Sequence, residues 1–281
     1  THVWSDATTL WVADTLDRMI YAYDLESRER QSDRDFSLVE LFGERPFVPV
    51  GFWSDGTIGW VVDWYTTYVF AFDLQSRQRV RSAEFGPLSE SGNQHPAGMW
   101  SDGVTAWVVD RADALVFAYD LATGQRNERD DINKLRQIGN ELPQGIWSDG
   151  ETIWIGDWEE DRLFAYRKSD GIRLPNRDFN HLLAAGNLSP TGFWGDGDNL
   201  WVSDHADARV YVYPFPLAPE ASEHDTSLRI SRLSGGRLRI DFSGLLQVAD
   251  QVDGPYSTIE EAESPLCLLY TSPSPRDDQT S

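Results

Sequence analysis

Two columns of aspartates are the residues of this chain best equipped for chemistry. Asp14, Asp63, Asp110, Asp157 and Asp204 each follow a second Trp by three residues, as in Trp60-Val61-Val62-Asp63. Asp6, Asp55, Asp102, Asp149 and Asp196 each follow a Ser or Gly in a predicted turn. Carboxylates in such numbers could hold a hard cation or act as general acids and bases. Their recurrence argues for a different role. A reacting group is needed once, in an asymmetric setting, whereas an Asp that accepts loop N–H groups and fixes a turn is needed in every copy of a repeat. The most oxygen-rich stretches, Gly195-Asp196-Gly197-Asp198-Asn199 and Trp158-Glu159-Glu160-Asp161, have neither the 12-residue EF-hand spacing nor a Gly-rich nonapeptide pattern. Calcium is thus the one cofactor they leave open, and no metal site is assigned. His2, His95, His181, His205 and His224 are scattered without ligand spacing, and the chain has no Gly-x-Ser-x-Gly, His-Glu-x-x-His or phosphate-binding Gly loop. No catalytic residue is expected.

Binding residues are better sought where the copies differ. Ten of the twelve Trp sit at two repeated positions and are read as packing residues. Trp64 and Trp158 do not; each directly follows the Asp that closes the Trp-x-x-Asp segment. An exposed indole there could stack on a sugar or anchor a protein partner, or could simply lie over a neighbouring repeat. The candidate ligand-binding residues are accordingly Trp64 and Tyr65 in the second copy, Trp158, Glu159 and Asp161 in the fourth, and His205 in the fifth.

The elements that must position these residues follow from the repeat. The first Trp of each copy falls at 4, 53, 100, 147 and 194, and the second always seven residues later. Spacing of 47 to 49 residues is the signature of an array of small supersecondary units. Within a copy the segments are short and rich in aromatic and β-branched residues, as strands require. Gly51-Phe52-Trp53 reads as strand a, Ser54-Asp55-Gly56-Thr57 as a tight turn, Trp60-Val61-Val62-Asp63 as strand b, Val69-Phe70-Ala71-Phe72-Asp73 as strand c, and Arg77 to Phe85 as a weaker, polar strand d. Strands b and c are apolar on consecutive positions, so both of their faces must be buried. Four-stranded sheets covered on both faces by copies of themselves predict a β-propeller. Strand parity puts the b-to-c loops, which carry all six candidate residues, on one face of the disc.

The segment Pro190-Thr191-Gly192-Phe193-Trp194 through Leu200-Trp201-Val202-Ser203-Asp204 to Arg209-Val210-Tyr211-Val212-Tyr213 resembles the NHL-type propeller repeat. It resembles more closely a Trp-Ser-Asp-Gly-Thr repeat found in tandem in secreted bacterial multidomain proteins, a repeat without an established activity. The resemblance covers residues 1–216. It implies an all-β chain with five visible four-stranded blades of about 47 residues, six or seven blades staying open because copy five lacks strand d, and it implies an extracellular or cell-surface location. NHL-like propellers include lyases and lactonases with a metal or His pair at the central channel, and no residue here matches those sites.

The 281 residues carry 24 basic and 46 acidic side chains, a net charge of −22. Such a field repels phosphate backbones and anionic lipid, which argues against nucleic-acid and membrane-surface partners. No run approaches the ~18 apolar residues of a membrane span. The chain opens at Thr1 inside a repeat and is read as a fragment. Residues 217–226 read as a linker, and 227–266 resemble the opening part of a β-sandwich-like accessory module. Residues 267–281, including Cys267, resemble a translated sequencing adapter and are read as a non-native tail. The functional expectation is a non-enzymatic binding or display module, monomeric within a larger chain, that recognises protein or glycan through the loop face. A lectin is the first alternative, and a lyase or hydrolase with a central-channel site the second.

Overall fold

The structure, a computed structural model, describes residues 2–215 except 7, 45, 134, 181 and 183–185, together with the strand backbones 228–233, 237–242, 247–248, 257–258 and 266–269. The chain divides into two units, Thr1–Ala218 and Pro219–Ser281.

The first unit is all-β, as the repeat predicts. Five copies give five antiparallel sheets: β1 (His2–Ser5), β2 (Thr9–Asp14), β3 (Met19–Asp24) and the short β4 (Phe36–Ser37); β5 (Pro49–Ser54), β6 (Ile58–Asp63) and β7 (Tyr68–Asp73); β8 (Pro96–Ser101), β9 (Thr105–Asp110) and β10 (Leu115–Asp120); β11 (Pro143–Ser148), β12 (Thr152–Asp157) and β13 (Arg162–Arg167); β14 (Pro190–Gly195), β15 (Asn199–Asp204) and β16 (Arg209–Pro214). None of the sheets closes on itself. The first strands of successive sheets lie against one another, β5 on β8, β8 on β11, β11 on β14, and β1 touches both β5 and β14.

Register explains the repeated residue types. In the second sheet Trp53 stands opposite Trp60, and Trp60 opposite Ala71. The two indoles share one face at 5.2 Å between ring centroids, and an Ala in the third strand leaves them room. The other face carries Phe52, Phe70 and Phe72. It meets the preceding sheet, where Trp4 packs edge-on against Phe52 at 6.0 Å. The segment leaving each sheet fills the remaining space. Phe36 lies 5.1 Å from Phe72, Phe85 lies 5.8 Å from Tyr119 and Phe179 lies 5.0 Å from Tyr213, while Leu38, Leu88, Leu135 and Leu182 are fully buried beside them. Burial of one such aromatic or Leu side chain contributes about 2 kcal/mol, so these segments are as much a part of the core as the strands.

The expected polar fourth strand does not form as a continuous strand. Sheet 1 has the two-residue β4, and sheets 2 to 4 have only isolated bridges on either side of a short 3₁₀ turn, for example Phe72 with Arg79 and Val69 with Phe85 around Arg81–Ala83. The reason is a substitution of partners. Arg126 is ion-paired to Asp131 at 2.5 Å and stacks on Phe117 at 4.3 Å, and Asp131 in turn accepts the Ala118 N–H that a fourth strand would have bonded. Asp35 and Asp178 take the Ala22 and Ala165 N–H groups in the same way. The 3₁₀ turn offers its carbonyls to the second Trp of the repeat: Trp60, Trp107 and Trp154 donate their indole N–H to Ala83, Asp130 and Arg177.

In the second unit, β17 (Leu228–Leu233) pairs with β18 (Arg237–Phe242), and β18 with β21 (Leu266–Leu269), while β19 (Gln247–Val248) pairs with β20 (Ser257–Thr258). β17 and β18 lie within the segment 227–266. The boundary drawn at 266/267 falls inside β21. Residues 217–226 and 270–281 lie outside the described residues.

Candidate functional site

The aspartates that end the second strand of each sheet are consumed by the backbone. Asp157 is fully buried; one oxygen accepts the N–H groups of Glu141 and Leu142 (2.7 and 2.9 Å), the other those of Glu159 and Glu160 (2.8 and 3.0 Å). Asp110 does the same for Gln94, His95, Ala112 and Asp113, and Asp204 for Leu188, Ser189, Ala206 and Asp207. Asp63 accepts from Val48, Tyr65 and Thr66. A carboxylate holding four amides has little capacity left for a metal or a substrate proton. In copies two to five the column stitches the incoming loop to the outgoing turn, whereas Asp14 holds only its outgoing turn through the Leu16 and Asp17 N–H groups; fixing turns is the structural role the recurrence implied.

The second column is engaged as well. Asp55 accepts the N–H groups of Thr57 and Ile58, and Asp149 those of Glu151 and Thr152. The glycine that follows sits at a left-handed φ, +99° at Gly150, which a side chain would strain. Asp196 uses both oxygens, one on Asp198 and Asn199 N–H and the other on the Asn199 amide and the Trp201 indole. The 195–199 stretch considered for calcium is therefore internally bonded. Burial raises the Asp102 carboxyl pKa, but hydrogen bonds from Lys168 and from the Thr105 and Val104 N–H groups outweigh it and leave the group below its ordinary value. Asp196 is held down likewise, its burial outweighed by Asn199, Asp198 and Trp201.

What remains for recognition is the position after each Asp of the first column: Thr15, Trp64, Arg111, Trp158 and His205. Four of these residues are tethered by their own N–H to the incoming loop, Trp64 to Val48, Arg111 to His95, Trp158 to Leu142 and His205 to Ser189. Their side chains are thereby displayed at the same end of successive sheets. Trp64 is 45 % exposed, Tyr65 60 % and Trp158 36 %. His205 and Glu159 are exposed too. The structure thus puts the six predicted residues at one end of the sheets, in three separate copies.

Sequence reasoning missed one member of this column. Arg111, from the third sheet, lies over the Trp158 indole of the fourth at 4.1 Å, a cation–π contact across the sheet boundary. Burial lowers the Arg111 pKa, and Asp157 and Glu159 oppose that shift. One face of Trp158 is covered, and the pair forms a rigid amphipathic ridge. Aligning the residue after each Asp would have flagged Arg111 as the sole Lys or Arg in the column. Asp161, a predicted site residue, occupies the left-handed turn position (φ +48°) that Arg18, Thr67, Ala114 and Ala208 hold elsewhere. Its Oδ1 is buried without a partner, and its pKa is raised, chiefly by burial and then by Asp204, Asp157 and Glu160.

The inner strands leave little space between them. A Cβ added at Gly51 would lie 2.8 Å from the Met99 N, and one at Gly192 2.6 Å from the His2 Cα; Gly98 and Gly145 press on the backbones of Gln144 and Thr191. His2 occupies the glycine position in β1 and is buried, which pushes its imidazole pKa well down. Among the described residues no three His, Cys, Asp or Glu side chains converge as a metal site. His181 and His224 lie outside the described residues.

No protein-family model and no curated protein matches the chain. Solved structures do. It is similar to Myxococcus xanthus glutaminyl cyclase, with 13 % identity and a TM-score of 0.55 over 73 % of this chain and 85 % of that one. It is also similar to a chain of the nidogen/laminin complex, with 15 % identity and a TM-score of 0.50 over 83 % and 85 %. A third neighbour is the β-propeller domain of Myceliophteria thermophila Cps50 (Swd1), with 14 % identity and a TM-score of 0.45 over 94 % and 88 %. At such identities the likeness is one of fold, and the fold is that of β-propeller proteins.

Proposed function

We propose that the first unit is a five-bladed propeller acting as a non-enzymatic recognition module that binds a protein partner through the face bearing Trp64, Tyr65, Arg111 and Trp158, in a secreted or cell-surface protein. The five-bladed reading is supported by β1 lying against both β5 and β14, so that the five first strands follow one another around an axis. The similar structures include both an enzyme and a member of a protein complex, and fold alone does not choose between them.

The observation that carries the reading is the contrast between the two kinds of residue on this face. The carboxylates that close the second strands are spent on backbone amides, whereas Trp64, Tyr65 and Trp158 stand exposed on backbone-tethered turns, with the half-buried Arg111 stacked on Trp158. Trp, Tyr and Arg are the side chains that dominate protein interfaces, and their immobilisation reduces the entropy lost on binding. A glycan reading is weaker because an aromatic holds this position in only two of the five equivalent loops, Thr15, Arg111 and His205 standing in the others.

The test compares the full chain with the paired variants Trp64→Ala/Tyr65→Ala and Arg111→Ala/Trp158→Ala on an array of extracellular protein domains and on a glycan array, with and without calcium. A protein ligand whose affinity falls at least tenfold in both variants is expected. A glycan signal lost in the same variants would replace the reading with a lectin, and binding indifferent to both pairs would overturn it.

A further inference from the structure

Three residues flank Trp158 on the loop face, Glu141 in the incoming loop and Glu159 and Glu160 in the turn, and comparing them copy by copy exposes an asymmetry. Their counterparts are Phe47, Tyr65 and Thr66 in copy two, Gln94, Ala112 and Asp113 in copy three, and Leu188, Ala206 and Asp207 in copy five. Copy four is acidic at all three positions and copy two at none. Asp157 gathers the three glutamates around the indole: its carboxylate accepts the Glu141, Glu159 and Glu160 N–H groups, while the Trp158 N–H bonds to the neighbouring Leu142 carbonyl. Residues 139–142 and 157–162 are all described, and Glu141, Glu159 and Glu160 are exposed.

These glutamates are not balanced by the protein's own cations. Among the described residues none of the three is in an ion pair. Arg162, at the end of the same turn, is committed to Asp178 at 3.2 Å, and Arg111 lies half-buried along one face of the indole. At the opposite end of the sheets three of the turn aspartates do meet cations: Asp6 pairs with Arg34, Asp102 with Lys168 and Asp149 with Arg177. The loop face therefore has an apolar pole at Trp64 and Tyr65 and, in the next sheet but one, an indole flanked by uncompensated negative charge. Arg111 covers one face of that indole, and the exposed remainder is open to a second cation.

We propose that the partner of this face is a basic polypeptide segment, which seats a large apolar side chain on Trp64 and Tyr65 and an Arg or Lys between the Trp158 indole and Glu141, Glu159 and Glu160. The inference rests on the protein-binding reading above and adds the chemistry of the partner. A guanidinium laid on an exposed indole is attracted by the ring quadrupole, and the carboxylates beside it supply the opposite charge that steers the encounter and fixes its register. The field that repels phosphate and anionic lipid draws a cationic segment. Later parts of this chain lack that chemistry: residues 217–226 contain Glu220, Glu223 and Asp225, residues 243–275 contain Asp250, Asp253, Glu260, Glu261 and Glu263, and neither stretch contains Lys or Arg.

The probe is a displayed library of random dodecapeptides panned against the full 281-residue chain. Enriched peptides are expected to combine Arg or Lys with an aromatic or Leu residue. One of them, fluorescein-labelled, should bind saturably in fluorescence anisotropy, about tenfold more weakly to Glu141→Gln/Glu159→Gln/Glu160→Gln and about tenfold more weakly at roughly 0.5 M than at 0.05 M salt. The substituted side chains are exposed, so the melting temperature of this variant should not change. Glu26→Gln/Glu29→Gln/Glu151→Gln removes the same charge from exposed positions at the opposite end of the sheets and should bind the peptide normally. Equal losses in the two triple variants would reduce the effect to the overall charge of the chain and overturn the proposal. Enriched peptides without Lys or Arg that are lost on Trp64→Ala/Tyr65→Ala or Arg111→Ala/Trp158→Ala would overturn the basic partner while leaving the protein-binding reading in place, and no enrichment would overturn both. Binding that appears only after Arg229, Arg232, Arg237 and Arg239 are replaced by Gln would make the chain's own strands the occupant, and overturns the proposal as well.

Discussion

Replacing Asp157 by Ala separates a structural carboxylate from a reactive one. The side chain accepts four amides at 2.7 to 3.0 Å, two from the incoming segment and two from the following turn. Hydrogen bonds to a charged group contribute about 1.5–3 kcal/mol each. The Glu159 and Glu160 amides lie in an exposed turn and regain water on truncation, which removes most of their share. The Glu141 and Leu142 amides are left to reorganise without an acceptor, and the expected loss is about 4 kcal/mol. For a unit of this size each kcal/mol moves the melting temperature by about 2–4 °C, so Asp157→Ala should melt about 10 °C lower, followed by Trp fluorescence or calorimetry. Asp157→Asn keeps one carbonyl oxygen but turns an NH₂ toward two N–H donors, and should fall between the two. A drop under about 2 °C for the Ala variant would refute the assignment of this column to folding.

Three further outcomes are expected. Gly51→Ala places a Cβ 2.8 Å from the Met99 N and 3.1 Å from the Gly98 carbonyl carbon, both backbone atoms, and should lower stability by about 1–3 kcal/mol in urea titration; an unchanged midpoint would show that the inner strands are not tightly apposed. The carboxyls of Asp6, Asp102 and Asp196 are held below their ordinary range in the folded state, so their stabilisation is complete above the unfolded value near 4 and is lost as pH falls through the depressed value. Urea midpoints measured from pH 6 to pH 2 should be flat at first and then fall, and a rise on acidification would contradict this. Asp161 is the opposite case: its raised pKa makes the folded state lose stability as pH rises through that value, so Asp161→Asn should stabilise the protein at pH 7 and lose its advantage at pH 3.

The sheets and their faces were legible in the sequence because Trp, Val and Asp recur in phase with strand geometry. The paired Trp columns stand opposite each other in register, as Trp53 and Trp60 do. The structural role of the Asp columns was legible for a related reason, since a residue present in every copy answers a need of every copy. The fourth strand was misread because Arg126 and Asp131 look like the exposed alternation of an edge strand, while in space they form an ion pair that takes over a ladder hydrogen bond. The Arg111–Trp158 contact was hidden because its partners are 47 positions apart and belong to different sheets. The buried Asn93 and Asn140 went unremarked because a Gly-Asn pair reads locally as a turn, and only the packing shows that their side chains bond to the next sheet.

The indole N–H bonds from Trp60, Trp107 and Trp154 to carbonyls 23 residues downstream give the unit a mechanical character. Each latch ties a sheet to the segment wedged against the following sheet, and among the described residues β16 and β1 share no such tie. Tension applied through the two ends of the unit would enter at β1 and β16 and find the least resistance there. Sheets would then yield one after another, each releasing about 47 residues, or ~160 Å of extended chain. An array that forms one core at rest would extend under load in nearly equal lengths.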